Sequence, residues 1–319
     1  MEPSKPESAA RPGFGTAHLM GRIGLRQSTE LVHAALDCGI VHFDTARLYG
    51  LGDSEMMLGR ALRNRPDVTV YTKVGLGSPS HSSWRSRLYA SVRPLARARA
   101  RLGAVSPRFS GPAITYERQT DFSPGSVRKS VETSLRMLRR ETLDGLLLHE
   151  ITAKDATAAL WDLMEDLKSE GKILRFGIAS EPQALAGLEV SGFRGSIIQQ
   201  AGGPFAEPIT TADADHEIVL HSLFGPGRRY LHPFTAWLDE NPADQRIMLE
   251  LLAVECIASI PALLVSYTAT RMPFTKIVFS STSKHHISEN ATAVRHKLSG
   301  ESTRLVTRVL AKYKKERLC

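Results

Sequence analysis

The chain has little cysteine, no long apolar run and no glycine-rich nucleotide fingerprint, and each absence excludes something. Cys38, Cys256 and Cys319 are its three cysteines in 319 residues. The number is odd and the spacing is wrong for metal ligation, so neither a disulfide framework nor a metal site is expected. Cys319 is the last residue, whereas a prenylation box needs its cysteine four from the end. Cysteine used this sparingly suits a reducing, cytoplasmic setting. No stretch approaches the roughly 20 apolar residues of a membrane-spanning helix, so no membrane partner is expected. The opening MEPSKPESAARPG has no apolar centre, which argues against a secretory signal. Residues 1–12 are expected to form a short disordered lead. No GxGxxG follows the first strand candidate, which weakens a dinucleotide-type open sheet.

Charge of one sign is scarce over most of the chain. The formal net charge is +8. Residues 76–121 hold eight arginines against one Glu and one Asp, so most of the excess sits in that single segment. An evenly basic body would have suggested nucleic acid. Here nucleic-acid binding is not expected, and any taste for polyanions belongs to that segment alone. Nothing in these patterns specifies an oligomeric state.

What is present is alternation. Short apolar runs at 15–19, 40–43, 68–72, 143–148, 174–178, 195–199, 218–220 and 276–279 read as strands. Between them lie stretches of helical period, among them STELVHAALDCG, DSEMMLGRALRN, SVRKSVETSLRMLRR, DATAALWDLMEDLKSEG and QRIMLELLAVECIA. Ser28, Asp53 and Asp155 are candidate helix starts, and Gly39 and Gly171 candidate ends. Strand–helix alternation implies a parallel sheet covered by helices. Eight such units close a (β/α)8 TIM barrel, within a single domain over 13–319; an open doubly wound sheet is the alternative. Residues 76–121 interrupt the third unit as a long arginine-rich insertion. Its arginines are suited to gripping a carboxylated or phosphorylated substrate. Its Arg, Ser, Ala and Pro content equally suits a solvated loop.

Four polar residues stand at or just beyond strand ends. Asp44 follows CGIVHF, Tyr49 lies in the next loop, Lys73 follows VTVYT, and His149 follows LDGLLL. In a parallel barrel all four converge on one face. Singly, each is explained by turn formation, packing or solvation. As a set they divide one task. A phenol is a poor acid at neutral pH, with an ordinary pKa near about 10. A neighbouring ammonium lowers that value, and a buried carboxylate holds the ammonium charged. The imidazole steadies charge on a carbonyl oxygen while Tyr49 protonates it. Hydride must come from a cofactor, since no side chain supplies it.

These residues lie within FDTARLYGLGDSEMMLGRAL, TKVG and LLLHE, and on those stretches the chain resembles the aldo-keto reductases over about 13–298. The resemblance implies a barrel that binds NADP or NAD, NADP slightly favoured, and acts on an aldehyde, ketone or sugar with Asp44, Tyr49, Lys73 and His149 as catalytic residues. It implies that Ser180 and Gln199 hold the carboxamide and that His221 stacks on the nicotinamide. Ser222 and Leu223 then approach the pyrophosphate, Ser281 and Ser283 a phosphate, and Glu289 and Asn290 the adenine. Ser280 and His286 stand where the family often has basic residues for a 2′-phosphate, with Lys284 nearby. A nicotinamide-binding sensor or regulatory subunit without turnover is the competing reading.

Overall fold

The computed structural model describes residues 9–20, 23–77, 120–181, 184, 187–188, 192–206 and 216–317. Eight parallel strands close into a barrel in sequence order. They are β1 Arg11–Gly15, β2 His42–Asp44, β3 Thr69–Val74, β4 Gly145–His149, β5 Phe176–Ala179, β6 Ile197–Ala201, β7 Glu217–His221 and β8 Lys276–Phe279. The ring closes where β1 pairs with β8, Arg11 opposite Lys276. Nine α-helices stand among the described residues: α1 Leu25–Asp37, α2 Ser54–Ala61, α3 Pro124–Leu138, α4 Ala158–Ser169, α5 Leu231–Glu240, α6 Pro242–Val254, α7 Ile260–Arg271, α8 Lys284–Arg295 and α9 Gly300–Arg317.

Alternation along each strand divides the core into two shells. Tyr71, Leu147, Ala179, Ile197, Val219 and Val278 fill the barrel's interior. The outward residues, Phe14, Phe43, Val70, Leu146 and Leu148 among them, bury against Leu31, Val32, Met57, Leu58, Val131, Leu135 and Met164 of the helices. Each such side chain contributes on the order of 1.5–3 kcal/mol by leaving water. A separate apolar cluster around Phe205, Trp237, Tyr267 and Tyr313 joins α5, α6, α7 and α9.

Seven strands begin and end somewhat differently from the apolar runs. β1 shares only Gly15 with the expected 15–19 and takes in Arg11 and Pro12 from the expected lead. Its RPGFG sequence contains poor strand formers, but Gly13 and Gly15 face His42 and Ser280 so closely that a side chain at either would collide. α1 starts before Ser28, which is buried within the helix and accepts from Met20 N at 3.0 Å. Thr157, not Asp155, caps α4, accepting from Leu160 N; Asp155 binds Thr152 instead. Asp53 precedes α2 without a side-chain cap bond. Gly39 and Gly171 do follow helix ends with positive φ. The insertion's two ends meet, with Leu76 bridging Thr120 and Asp121 N donating to Gly75 O; residues 78–119 lie outside the described ones, as do 1–8 of the expected lead. No helix among the described residues is long and apolar enough to cross a membrane.

Candidate active site

The C-terminal ends of β2, β3 and β4 bring the four strand-end residues together. Asp44 and Lys73 point into the barrel, 4% and 3% exposed. Lys73 Nζ donates to Asp44 Oδ1 at 2.5 Å and to Thr45 O at 3.1 Å. The same ammonium stands 5.0 Å from the centre of the Tyr49 ring. Tyr49 meets His149 edge to face, ring centres 6.2 Å apart. Carboxylate, ammonium, phenol and imidazole therefore form one continuous line.

The electrostatics correct one expectation. Burial raises the Tyr49 phenol above its ordinary value; Lys73 pulls it down and Asp44 pushes it up, and the balance stays high. Tyr49 is thus a protonated phenol throughout the neutral range, the form a general acid needs. Burial works against the Lys73 ammonium, but Asp44 and Tyr49 outweigh it and its pKa is raised. Burial first, then Lys73, pulls His221 down to about 4, so its ring is neutral at pH 7.

Local sequence explains how Tyr49 is presented. It opens a 3-10 turn, Tyr49–Gly52, that leads into α2. Gly50 has φ +61°, and a Cβ there would stand 2.6 Å from Met20 Cβ and from Ser54 Oγ. Only glycine fits a left-handed residue in so close a space. Five further polar residues, given no site role from sequence, fix the same region. Thr16 and Thr45 share a hydroxyl bond of 2.9 Å. Glu55, 1% exposed, accepts from Arg47 Nη1 and from Thr72 Oγ1, each at 2.7 Å. A carboxylate in the first turn of an apolar helix was the available signal, and it looks the same as an ordinary dipole-compensating Glu.

Of the residues expected around a cofactor, Gln199 is the most telling. Its Nε2 donates to Asp44 Oδ2 at 2.8 Å. That carboxylate accepts only, so it fixes which way round the amide sits. Gln199 Oε1 is left buried with no hydrogen-bond partner. A buried acceptor left unpaired costs about 1–3 kcal/mol, and an amide donor from a ligand would satisfy it. Ser180 is buried on the neighbouring strand end and donates to Ile151 O at 3.1 Å. His221 ends β7 with Nδ1 3.0 Å from Ser222 Oγ, and Ser222 holds a strained φ of +52°. Leu223 is buried.

Across the barrel, Ser281 and Ser283 precede α8. Ser283 caps the helix through His286 N, and Ser283 N donates to Ser281 Oγ at 3.1 Å. Ser280 Oγ donates to Gly15 O at 2.7 Å. Glu289 Oε1 accepts from Ser259 Oγ at 2.6 Å, so this carboxylate already serves the residue that caps α7. Asn290, half-buried, is the next residue of the same helix. No group of His, Cys, Asp and Glu among the described residues is arranged to hold a metal ion.

A second charged cluster occupies the barrel's opposite end. Glu217 accepts from Tyr71 Oη at 2.8 Å and pairs with Lys276 at 2.7 Å and Arg175 at 2.9 Å. Arg175 also reaches the Tyr71 hydroxyl. His42 packs edge-on to Tyr71, centres 4.5 Å apart, with both ring nitrogens unpartnered. Burial, reinforced by the surrounding cations, keeps that imidazole well below its ordinary pKa. In a barrel this end governs stability rather than chemistry.

The chain is similar to known proteins in sequence and in fold. Residues 13–186 match the model of the aldo/keto reductase family. The chain is 29% identical over 231 residues to the D-threo-aldose 1-dehydrogenase of a Pseudomonas species, covering 67% of this chain and 66% of that one. It is 28% identical over 184 residues to the pyridoxal 4-dehydrogenase of Microbacterium luteolum, covering 52% and 50%. In both, the matched stretch is less than two thirds of the relative's length. Among solved structures, the glycerol dehydrogenase of Gluconobacter oxydans superposes with a TM-score of 0.69 at 21% identity, over 95% of this chain and 92% of that one. An aldo-keto reductase of Klebsiella pneumoniae in complex with NADPH gives 0.66 at 19% identity, over 96% of each. With the family model spanning more than half of the sequence, from β1 past β5, the chain belongs to the aldo/keto reductase family.

Proposed function

We propose that this protein is an NAD(P)-dependent oxidoreductase that moves a hydride between nicotinamide and a carbonyl or alcohol, in an aldehyde, ketone or sugar. The observation that carries the reading is the line from Gln199 through Asp44 and Lys73 to Tyr49, with the Gln199 acceptor left open. A bound nicotinamide would supply or accept the hydride. Gln199 and Ser180 would hold its carboxamide, and the neutral His221 ring would lie against it. Ser222 and Leu223 would border its pyrophosphate, Ser281 and Ser283 its far phosphate, and Glu289 and Asn290 its adenine.

Tyr49, protonated and pinned by Gly50, gives its proton to the carbonyl oxygen of the substrate. Lys73 steadies the phenolate that results, and Asp44 keeps Lys73 charged. His149 donates to the same oxygen and orients the carbonyl. A sugar substrate is supported by the aldose dehydrogenase relative, and NADP by the NADPH complex of the Klebsiella relative. The sparse cysteines support a cytoplasmic setting. A pure sensor has no need of a protonated phenol beside a paired ammonium. The test is titration of the purified protein with NADPH and NADH, following tryptophan fluorescence. Saturable binding of either supports the reading, and binding of neither overturns it.

A further inference from the structure

Glu55 takes no part in the chemistry just described, yet it is the most deeply buried carboxylate beside it. Its two oxygens hold different parts of the site. Oε2 takes Arg47 Nη1, two residues before Tyr49, and Oε1 takes Thr72 Oγ1, one residue before Lys73. Thr72 and Lys73 point to opposite faces of β3 because side chains alternate along a strand. The Glu55 side chain therefore grips β3 from the helix side while Lys73 works on the barrel side. Through Arg47 it grips the loop that presents Tyr49. No other described contact of α2 ties both segments to one side chain.

A buried ion pair is a poor device for stability alone, since apolar residues of the same volume serve as well or better. It is a good device for fixing geometry, because two charge-assisted bonds with defined directions leave little freedom. We infer that Glu55 is a positioning residue, strapping the Tyr49 loop to the Lys73 strand through its anchors Arg47 and Thr72 and so setting the distance from phenol to ammonium. The strap rests on the oxidoreductase reading of Tyr49 and Lys73.

The test uses Thr72→Val, which removes the hydroxyl at nearly constant shape, and Thr72→Ser, which keeps it. Tyrosine is labelled with ¹³C at the ring carbon bearing the hydroxyl, and Tyr49→Phe identifies the Tyr49 signal. A misplacement of about 1 Å can cost roughly a hundredfold in rate, so loss of one anchor is expected to lower kcat on the order of tenfold. T72V should also move the Tyr49 titration to higher pH, because Lys73 no longer sits as close, while NADPH affinity stays unchanged. T72S should restore both kcat and the titration. Wild-type kcat and titration in T72V would overturn the strap, as would T72S behaving like T72V. If the unaltered protein turns over no carbonyl, the oxidoreductase reading fails, and the Tyr49 titration still decides the strap by itself.

Discussion

Replacing Asp44 with asparagine strikes both halves of the site at once. The substitution preserves shape and removes the charge that Lys73 meets at 2.5 Å. Lys73 is 3% exposed, and a buried charge stripped of its partner costs about 3–5 kcal/mol. The new amide oxygen and Thr45 O still accept from the ammonium, so a loss of about 2–3 kcal/mol is expected. For a chain of 319 residues that lowers Tm by about 3–5 °C. The second effect reaches Gln199. With its oxygen on Lys73, the substituted side chain turns its NH₂ toward Gln199 Nε2, and two donors then face one another. Gln199 must rotate its amide, which commits the open Oε1 to the new NH₂ and presents a donor in its place. A carboxamide NH₂ meeting that donor loses about 1–3 kcal/mol, or between fivefold and a hundredfold in nicotinamide affinity, roughly.

Thermal denaturation and fluorescence titration with NADPH measure the two effects separately. Unchanged Tm and unchanged NADPH affinity in Asp44→Asn would show that Asp44 neither stabilises Lys73 nor orients Gln199. The pH dependence has a definite sign. Burial opposes the Lys73 charge, yet Asp44 and Tyr49 hold its pKa above the ordinary value. The stabilisation is therefore complete below about pH 10.4, the unfolded lysine value, and fades as pH climbs through the raised one. The stability gap between wild type and D44N should persist through neutral pH and narrow in alkali as Lys73 loses its charge.

Gly50→Ala forces a Cβ into a left-handed position already crowded by Met20 and Ser54; a loss of about 1–3 kcal/mol and a lower kcat are expected, seen in Tm and in steady-state rates. His221 titrates near 4 in the native protein, against about 6.5 unfolded. As pH falls between those values the unfolded chain takes up a proton that the native ring refuses, so stability drops across that window and levels off below it. His221→Asn should flatten this part of the stability–pH curve, and an unaltered curve would contradict the assignment. At the barrel floor, Tyr71→Phe leaves Glu217 paired with Lys276 and Arg175 and should cost about 1–2 kcal/mol. Glu217→Gln leaves both cations without a counter-ion and should cost about 3–5 kcal/mol by denaturant unfolding, with kcat unchanged in Y71F.

The barrel was legible because strand–helix alternation is a local pattern that repeats. Strand limits were less so, for physical reasons that particular residues show. Ile40 and Val41 are as apolar as any strand, but β2 begins at His42, because pairing with β3 determines its start, not hydropathy. β1 was displaced because its glycines are chosen for the close approach of His42 and Ser280. Ser28 looks like a cap but is engaged by Met20 N. Asp44, Lys73 and His149 were readable because polar residues ending apolar strands are conspicuous. Thr72 was not, and Glu55 stood out only as a member of the FDTARLYGLGDSEMMLGRAL stretch, its partners hidden because the bond to Thr72 joins two elements. The floor was hidden for the same reason: Tyr71, Glu217 and Lys276 are far apart in sequence, and charged residues opening strands resemble solvated ends. The high pKa of Tyr49 was missed because burial, invisible in sequence, outweighs Lys73.

The proposed role of Tyr49 as proton donor in a nicotinamide-linked carbonyl reduction is open to direct measurement. The most direct test mixes saturating NADPH with an aldose series and follows cofactor oxidation by absorbance, for wild type and for Tyr49→Phe, with NADPH affinity measured in both. If Tyr49 donates the proton, wild type turns over, Y49F loses about a hundredfold or more in kcat, and the two bind NADPH equally. Equal turnover by the two proteins would contradict it.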